Sequence, residues 1–450
     1  MEDLLRDTAE RAARYLAGLE DRGVAPVPEA VRRLSALAGP FPAGPADPAA
    51  TLALLDDVGS PATVATAGGR YFGFVTGGAL PAALAANWLA GAWDQNCAFA
   101  VMSPVVAALE ETALDWLCDA LHLPDGCGGG FVTGATMANF TALAAARHAV
   151  LARVGWDVEA DGLFGAPPIT VVLGDEAHAS LIKALGLLGF GRNRVVTVPV
   201  DDQGRMRADA LPPLTPPAIV CIQAGNVNTG ACDPAGEIIA RAHAAGAWVH
   251  VDGAFGLWAA AAPGRAHLVA GCGEADSWAT DAHKWLNVPY DSGLAVVRDP
   301  ATLRAAMTLA AAYLQQSAGR EPGQYTPEAS RRARAVDIWA ALRSLGRSGL
   351  AEMIERHCRY ATRLAERLRE AGYAVLNEVV LNQVLVSFGD AETTRRVIAG
   401  IQTDGTCWCG GTVWQGRTAM RISVSSWATT EADVERSLAA ILRVAGEQRG

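Results

Sequence analysis

Apolar and polar positions follow three successive rhythms along the chain. Over residues 1 to about 60, Leu4, Leu5, Ala9, Ala12, Leu16 and Leu19 recur near the helical period, and the spacing predicts helix, turn and helix, with a Pro-rich stretch from Pro40 to Pro48. This reads as an N-terminal helical arm, residues 1–80. From about 80 to 120 apolar residues dominate. Ser103-Pro104 opens a helix there, with serine at the N-cap, proline in the first turn and Val106, Leu109, Leu114 and Leu117 behind them. Between about 130 and 300, short β-rich runs (169–173, 194–200, 218–223, 247–251, 276–280, 293–297) alternate with Ala-rich helical stretches (137–150, 180–188, 235–245). That alternation is the α/β signature of a large domain, taken as 81–327. Beyond it a long helix (330–370), strand-like segments (373–377, 383–388, 419–424) and a closing helix (430–447) predict a smaller α+β domain, 328–450, and no internal repeat is apparent.

Composition narrows the functional classes. At 450 residues, 51% hydrophobic and 19% charged, the chain has ordinary globular composition and enough length for two or three domains with ample core. Acids outnumber bases 47 to 37, a net charge of −10, so no basic face is expected to release counterions from nucleic acid or an anionic membrane. The charged N-terminus, Met1-Glu2-Asp3-Leu4-Leu5-Arg6-Asp7, lacks the apolar core of a signal peptide, and no later run approaches the roughly 20 apolar residues that span a bilayer. A cytoplasmic protein is expected. Its nine cysteines show neither a CxxC pair nor a zinc spacing, so no metal is expected, and Cys407 and Cys409 read as packing thiols on one face of a strand.

Of the 37 Lys and Arg residues, two are lysines, Lys183 and Lys284, which leaves 35 arginines. A chain that uses Arg for almost every surface cation can keep Lys where chemistry demands an amine able to lose its proton, as Schiff-base chemistry does. Compositional drift is the alternative, and position decides between them. In a mostly parallel sheet, ligands bind beyond the carboxyl ends of the strands. Asp175-Glu176-Ala177-His178 follows the run 169–173, Asp252-Gly253-Ala254-Phe255-Gly256 follows 247–251, and Asp281-Ala282-His283-Lys284 follows 276–280, whereas Lys183 lies inside a helix. A lysine beside His283 and apolar neighbours can have a lowered pKa. Asp252 closes an apolar run and there wants a cation, which the protonated pyridine nitrogen of pyridoxal phosphate would supply; a loop-capping role is the plainer reading. Thr133-Gly134-Ala135-Thr136-Met137-Ala138-Asn139 opens the helix 137–150 and offers backbone N–H groups to a phosphate, or is simply a capped helix start. There is no Walker lysine, and Gly128-Gly129-Gly130 is not a dinucleotide fingerprint.

Thr133-Gly134-Ala135-Thr136-Met137-Ala138-Asn139, Asp175-Glu176-Ala177-His178, His250-Val251-Asp252-Gly253-Ala254-Phe255-Gly256 and Asp281-Ala282-His283-Lys284-Trp285-Leu286, in that order, resemble the pyridoxal-phosphate-dependent group II amino-acid decarboxylases, a family that includes the aromatic-L-amino-acid and glutamate decarboxylases. The likeness runs from about Tyr71 to Arg421. It implies an aminotransferase-like type I fold, with a large, mostly parallel seven-stranded sheet domain and a small C-terminal domain. It also implies a homodimer with interfacial active sites and an internal aldimine on Lys284. By the same likeness Asp252 meets the pyridinium nitrogen, Ala254 lies under the ring, His178 stacks above it, and Ala135, Thr136, Asp281 and His283 lie on the phosphate side. Phe74, Thr76 and Gly77 become substrate-pocket candidates, with Asn96 and Ala98 from the second subunit. The acid that protonates Cα in the family is commonly a tyrosine on a mobile loop before an Arg-Arg pair, here Arg331-Arg332. Leu314 to Ser330 reads as that loop and Tyr325 is its tyrosine. Asp281 stands where many relatives have Asn, Gly253 where they have Ala, and Val227 where they have Thr; the loop is also shorter. The expected reaction is decarboxylation of an L-amino acid to the amine and CO2, an aromatic substrate being slightly preferred. Acidic or diamino substrates, oxidative deamination to an aldehyde, transamination and carbon–carbon lyase chemistry are the alternatives, and a catalytically silent cofactor-binding scaffold is the reading from another class.

Overall fold

The Val-, Ile- and Leu-rich runs of the middle third form strands because a parallel sheet covered on both faces asks for continuous apolar segments. The computed structural model of the chain describes residues 1–308 and 319–448. In it the strands β1 (Gly128–Val132), β2 (Thr170–Gly174), β3 (Val196–Val198), β4 (Ala218–Gln223), β5 (Trp248–Asp252), β6 (Ser277–Asp281) and β7 (Gly293–Val297) form one sheet in the order β1-β7-β6-β5-β4-β2-β3. Parallel pairings join β3, β2, β4, β5 and β6, whereas β7 runs antiparallel to both β6 and β1. Every residue of β1, β5, β6 and β7 is buried.

Within this sheet β1 was not among the expected runs, since Gly128-Gly129-Gly130 lacks the β-branched and aromatic residues that mark a strand. The glycines are there because neighbours come too close for a side chain: a Cβ on Gly129 would strike the carbonyl of Ala295, and one on Gly130 the carbonyl of Tyr325. The strand leads into the helix Ala135–Ala152, which lies on the sheet through small residues. Ala138 and Ala142 pack with Val132, Ala279 and Ala295, while Leu143, Ala146 and Val150 pack with Val171, Leu173 and Ile219. Each fully buried aliphatic side chain of this kind contributes about 1.5–3 kcal/mol. The alanines bring the helix axis close to the strands and so set its N-terminus at their carboxyl edge.

The larger compact unit comprises Ala79–Thr362 and Asn377–Gln383, and the smaller comprises Met1–Gly78, Arg363–Leu376 and Val384–Gly450. The helix Arg334–Glu370, with non-helical backbone at Gly346, contributes residues to both. In the smaller unit, β8 (Ala374–Val375), β9 (Gln383–Ser387), β10 (Gly410–Trp414) and β11 (Arg417–Ser423) form a sheet in the order β10-β11-β9-β8. Helices Ala391–Asp404 and Glu431–Glu447 accompany it, the second started by a capping box between Thr430 and Asp433. The N-terminal helices belong to this unit, where buried Arg70 ties them down by donating to the carbonyls of Glu20, Arg22 and Thr406. Among the described residues no helix is long and apolar enough to cross a membrane. Cys407 and Cys409 are buried, and hydrogen bonding to Cys407 together with burial pushes the Cys409 thiol upward.

Candidate active site

Because β2, β4, β5 and β6 are parallel, Gly174, Gln223, Asp252 and Asp281 end them on one edge, and helix Ala135–Ala152 brings its first turn to the same edge. Asp281 is the hub of this edge. Its Oδ1 accepts from the Ala135 N–H at 2.5 Å, and its Oδ2 lies 3.0 Å from Lys284 Nζ. His283 Nε2 is 3.7 Å from Asp281 Oδ1, and its Nδ1 accepts from the Ser292 N–H at 3.2 Å, so the ring proton sits on Nε2, facing the carboxylate. Burial lowers the His283 pKa, with Asp281 acting against it. Thr136 follows Ala135 in the helix, and the Tyr290 ring covers His283 at 4.3 Å between centroids.

Asp252 is 2% exposed. Its Oδ2 accepts from Asn139 Nδ2 at 3.2 Å and its Oδ1 from the Ala254 N–H at 3.3 Å, both neutral donors. Burial raises its carboxyl pKa; the charges of His178 and Lys284 and the Asn139 hydrogen bond pull the other way, and Asp281 adds to the rise. His178 caps the helix Ala179–Leu187: its Nδ1 accepts from the Ser180 N–H at 3.2 Å. Ala254 follows β5 and accepts from the Asp281 N–H at 3.0 Å, which locks the two strand ends together.

A glycine pair shapes the floor between helix and sheet. A Cβ on Gly293 would lie 2.5 Å from the Gly134 Cα, and one on Gly134 would lie 3.0 Å from His283 Cε1. Neither position has room for a side chain.

Ala135, Thr136, His178, Asp252, Ala254, Asp281, His283 and Lys284 therefore share one strand edge, while Lys183 is exposed on the helix Ala179–Leu187. Tyr325 does not join them. It is 8% exposed and packs with Ala145, Val297 and Leu303, under the Arg320 guanidinium at 4.5 Å from its ring centroid. Val297 pairs with Ser277 at the amino end of β6, the end opposite the edge that carries Lys284. Tyr325 is therefore enclosed by packing and not carried on a free loop. Arg320 and Arg331 also anchor the segment by pairing with fully buried Glu110 at 3.1 and 2.6 Å; residues 314–318 of the expected loop lie outside the described residues.

The substrate candidates Phe74, Thr76 and Gly77 belong to the smaller unit. Phe74 is 64% exposed and stacks on Trp408 at 5.4 Å, while Thr76 lends its carbonyl to Ser425 Oγ at 3.2 Å. Asn96 and Ala98 belong to the larger unit, where Ala98 accepts from the Gly323 N–H at 2.7 Å and Asn96 donates to Ser330 Oγ at 3.2 Å. Sequence reasoning assigned no role to Asn139 and His250, which lie within its motifs, and did not single out Gly293. A signal existed for the first two, as polar side chains at positions whose neighbours in the pattern are buried.

Comparison with known proteins places this geometry in context. Residues 62–389 match the family model described as pyridoxal-dependent decarboxylase conserved domain. The chain is 31% identical to a tyrosine decarboxylase of Oryza sativa subsp. japonica, over 79% of this chain and 70% of that one. It is 30% identical to an L-2,4-diaminobutyrate decarboxylase of Rhizobium meliloti, over 81% and 75%. In three dimensions it resembles the crystal structure of Oryza sativa TDC with PLP and tryptamine, with a TM-score of 0.92, 23% identity and coverage of 100% of this chain and 98% of that chain.

Proposed function

The chain belongs to the pyridoxal-dependent decarboxylase family, and on that premise we propose that it decarboxylates an L-amino acid to the corresponding amine and CO2, with an aromatic substrate slightly preferred. It is a pyridoxal-phosphate-dependent carboxy-lyase. One observation carries the reading: a lysine amine and a buried carboxylate with only neutral hydrogen-bond donors stand on one strand edge, beside a helix N-terminus floored by glycine.

The residues fit the cofactor. Asp252 offers a buried acceptor to a protonated ring nitrogen, Lys284 offers the amine that holds the aldehyde carbon, and the first turn of helix Ala135–Ala152 offers N–H groups to the phosphate. Bound there, pyridoxal phosphate supplies the electron sink that accepts the electron pair left by the departing carboxylate. The protein's own part is to hold protons. Asp281 Oδ2 pairs with Lys284 Nζ, His283 keeps its proton on Nε2 towards Asp281, and Asp252 would offer its carboxylate to the ring nitrogen. His178, steadied by Ser180, is the group we assign to stacking on the ring, with Ala254 beneath it.

The exposed Phe74 ring supports an aromatic substrate, with Thr76 and Gly77 beside it in sequence. Of the two relatives named above, one bears the name of an aromatic and the other of a diamino acid, so the panel below includes both. A homodimer with interfacial sites, to which a second copy brings Asn96 and Ala98, is part of the same proposal. Release of an aldehyde, ammonia and hydrogen peroxide in place of the amine, with dioxygen as the two-electron oxidant, is a second reading, and the core position of Tyr325 favours it by leaving the proton return without its expected donor. The test offers cofactor-loaded protein aromatic, acidic, basic and diamino L-amino acids and quantifies CO2, amine and aldehyde together. Matched CO2 and amine are expected. CO2 with aldehyde selects the second reading, and no CO2 from any substrate refutes both.

A further inference from the structure

Behind Asp252 runs a file of buried polar groups that the chemistry above does not use. Asn139, His250 and Ser277 are fully buried and Trp248 nearly so. Asn139 donates from Nδ2 to Asp252 Oδ2 at 3.2 Å, and its Oδ1 lies 2.8 Å from His250 Nε2. His250 Nδ1 lies 2.9 Å from Ser277 Oγ, which accepts from Trp248 Nε1 at 2.9 Å.

The chemistry of the two ends fixes every proton between them. An ionised Asp252 only accepts, so the Asn139 amide must turn its NH2 to the carboxylate and its carbonyl to His250. His250 must then carry its proton on Nε2, and burial, which pulls its pKa down to about 3, keeps the ring singly protonated. Nδ1 is therefore an acceptor, filled by the Ser277 hydroxyl, whose oxygen takes the indole proton of Trp248. All donors point one way, towards Asp252. Packing alone would be met more cheaply by apolar side chains, since each buried polar group costs free energy unless it is satisfied.

We propose that Asn139, oriented by His250, is a positioning residue that keeps Asp252 ionised and turned towards the cofactor's ring nitrogen. Asn139 occupies one carboxylate oxygen and the Ala254 N–H the other, which prevents the carboxylate from rotating and leaves acceptor capacity for a protonated ring. The proposal rests on the decarboxylase reading only in requiring that pyridoxal phosphate binds. The other titratable groups around Asp252 are His178 from the cap of the next helix, Asp281 and Lys284 from the end of β6, and Cys221 from β4; all stay unchanged in the test.

The test loads wild type, Asn139→Leu, His250→Phe and His250→Gln with pyridoxal phosphate labelled with 15N in the ring. The ring-nitrogen shift is followed against pH by NMR, and the cofactor dissociation constant is measured by dialysis. In Asn139→Leu the ring nitrogen is expected to lose its proton about one pH unit lower than in wild type, with about tenfold weaker binding, equivalent to about 1.4 kcal/mol. His250→Phe moves both in the same direction by less, and His250→Gln, whose amide can point an N–H at Asn139, restores most of the change. Wild-type titration and affinity in folded Asn139→Leu and His250→Phe would overturn the proposal. If either fails to fold, Asn139→Ser carries the same expectation at about half the shift, and an unmoved titration there overturns it equally. Wild type that binds no pyridoxal phosphate would refute the decarboxylase reading itself, an outcome distinct from wild type that binds beside variants that do not differ.

Discussion

Lys284→Arg separates the assigned amine from every other basic group in the protein. The chain has two lysines, so borohydride reduction of the cofactor-loaded wild type should fix a single pyridoxyl group per chain, on Lys284. Lys284→Arg should fix none, and Lys183→Arg, altered at an exposed helix position, should fix as much as wild type. The structure also bounds what else the change does. Lys284 is 18% exposed and faces Asp281 at 3.0 Å; Arg keeps a cation there, so the cofactor-free variant should lose no more than about 1–2 kcal/mol. At cofactor 100-fold above its dissociation constant, wild type gains about 2.7 kcal/mol. With an unfolding entropy of about 2.1 cal/mol/K per residue over 450 residues, that is a rise of about 3 °C in Tm. The variant, left with noncovalent contacts, should gain clearly less. Visible absorbance, peptide mass after reduction and melting with and without cofactor read the three quantities. A reducible adduct that survives in Lys284→Arg, or a label found on Lys183, would refute the assignment.

Three other outcomes follow from packing and protonation. Gly293→Ala places a methyl 2.5 Å from the Gly134 Cα, where both partners are backbone, and should cost about 1–3 kcal/mol in stability and more than tenfold in cofactor affinity; unchanged affinity in a dialysis measurement would remove the glycine pair from the cradle. Tyr325→Phe keeps the ring among Ala145, Val297 and Leu303 and should leave the ratio of amine to aldehyde as in wild type, so a shift towards aldehyde would return this hydroxyl to the chemistry. His250 is held neutral in the fold, with a pKa of about 3 against 6.5 when unfolded. Between those values the unfolded chain binds the extra proton, so this contribution is complete above about pH 6.5 and falls by about 1.4 kcal/mol per pH unit on acidification towards pH 3. Denaturant curves of wild type and His250→Gln from about pH 7 to pH 4 should diverge in slope by that amount, and parallel curves would show that His250 is not held neutral.

What could be read from the sequence divides along physical lines. The strands β2, β4 and β7 were legible because a sheet buried on both faces writes itself as nearly continuous apolar runs, and β5 and β6, though broken by His250, Ser277 and Thr280, keep β-branched and aromatic residues between turn signals. β1 was not, because its glycines answer to the carbonyls of Ala295 and Tyr325, which approach from distant parts of the chain. β10 escaped for a different reason: it opens with Gly410-Gly411 and leaves alternate positions exposed. The same division runs through the site. Lys284 and Asp252 stood out because an amine is rare in this chain and because strand ends are where a parallel sheet places its chemistry.

The enclosure of Tyr325 was not legible because Gly319, Pro322 and Gly323 have the composition of a free loop, whereas Glu110, which pairs with two guanidiniums of this segment, and the packing partners Ala145, Val297 and Leu303 come from other parts of the chain. Asn139 and His250 stayed silent on the same ground. Each is an ordinary polar residue in its own segment, and their meaning arises only when the helix Ala135–Ala152 settles on β5 and turns one amide into the link between an imidazole and a carboxylate. A reading that stops at motifs finds the groups that touch a ligand; the groups that hold those in place become visible only when the hydrogen bonds of each buried polar atom are followed to their ends.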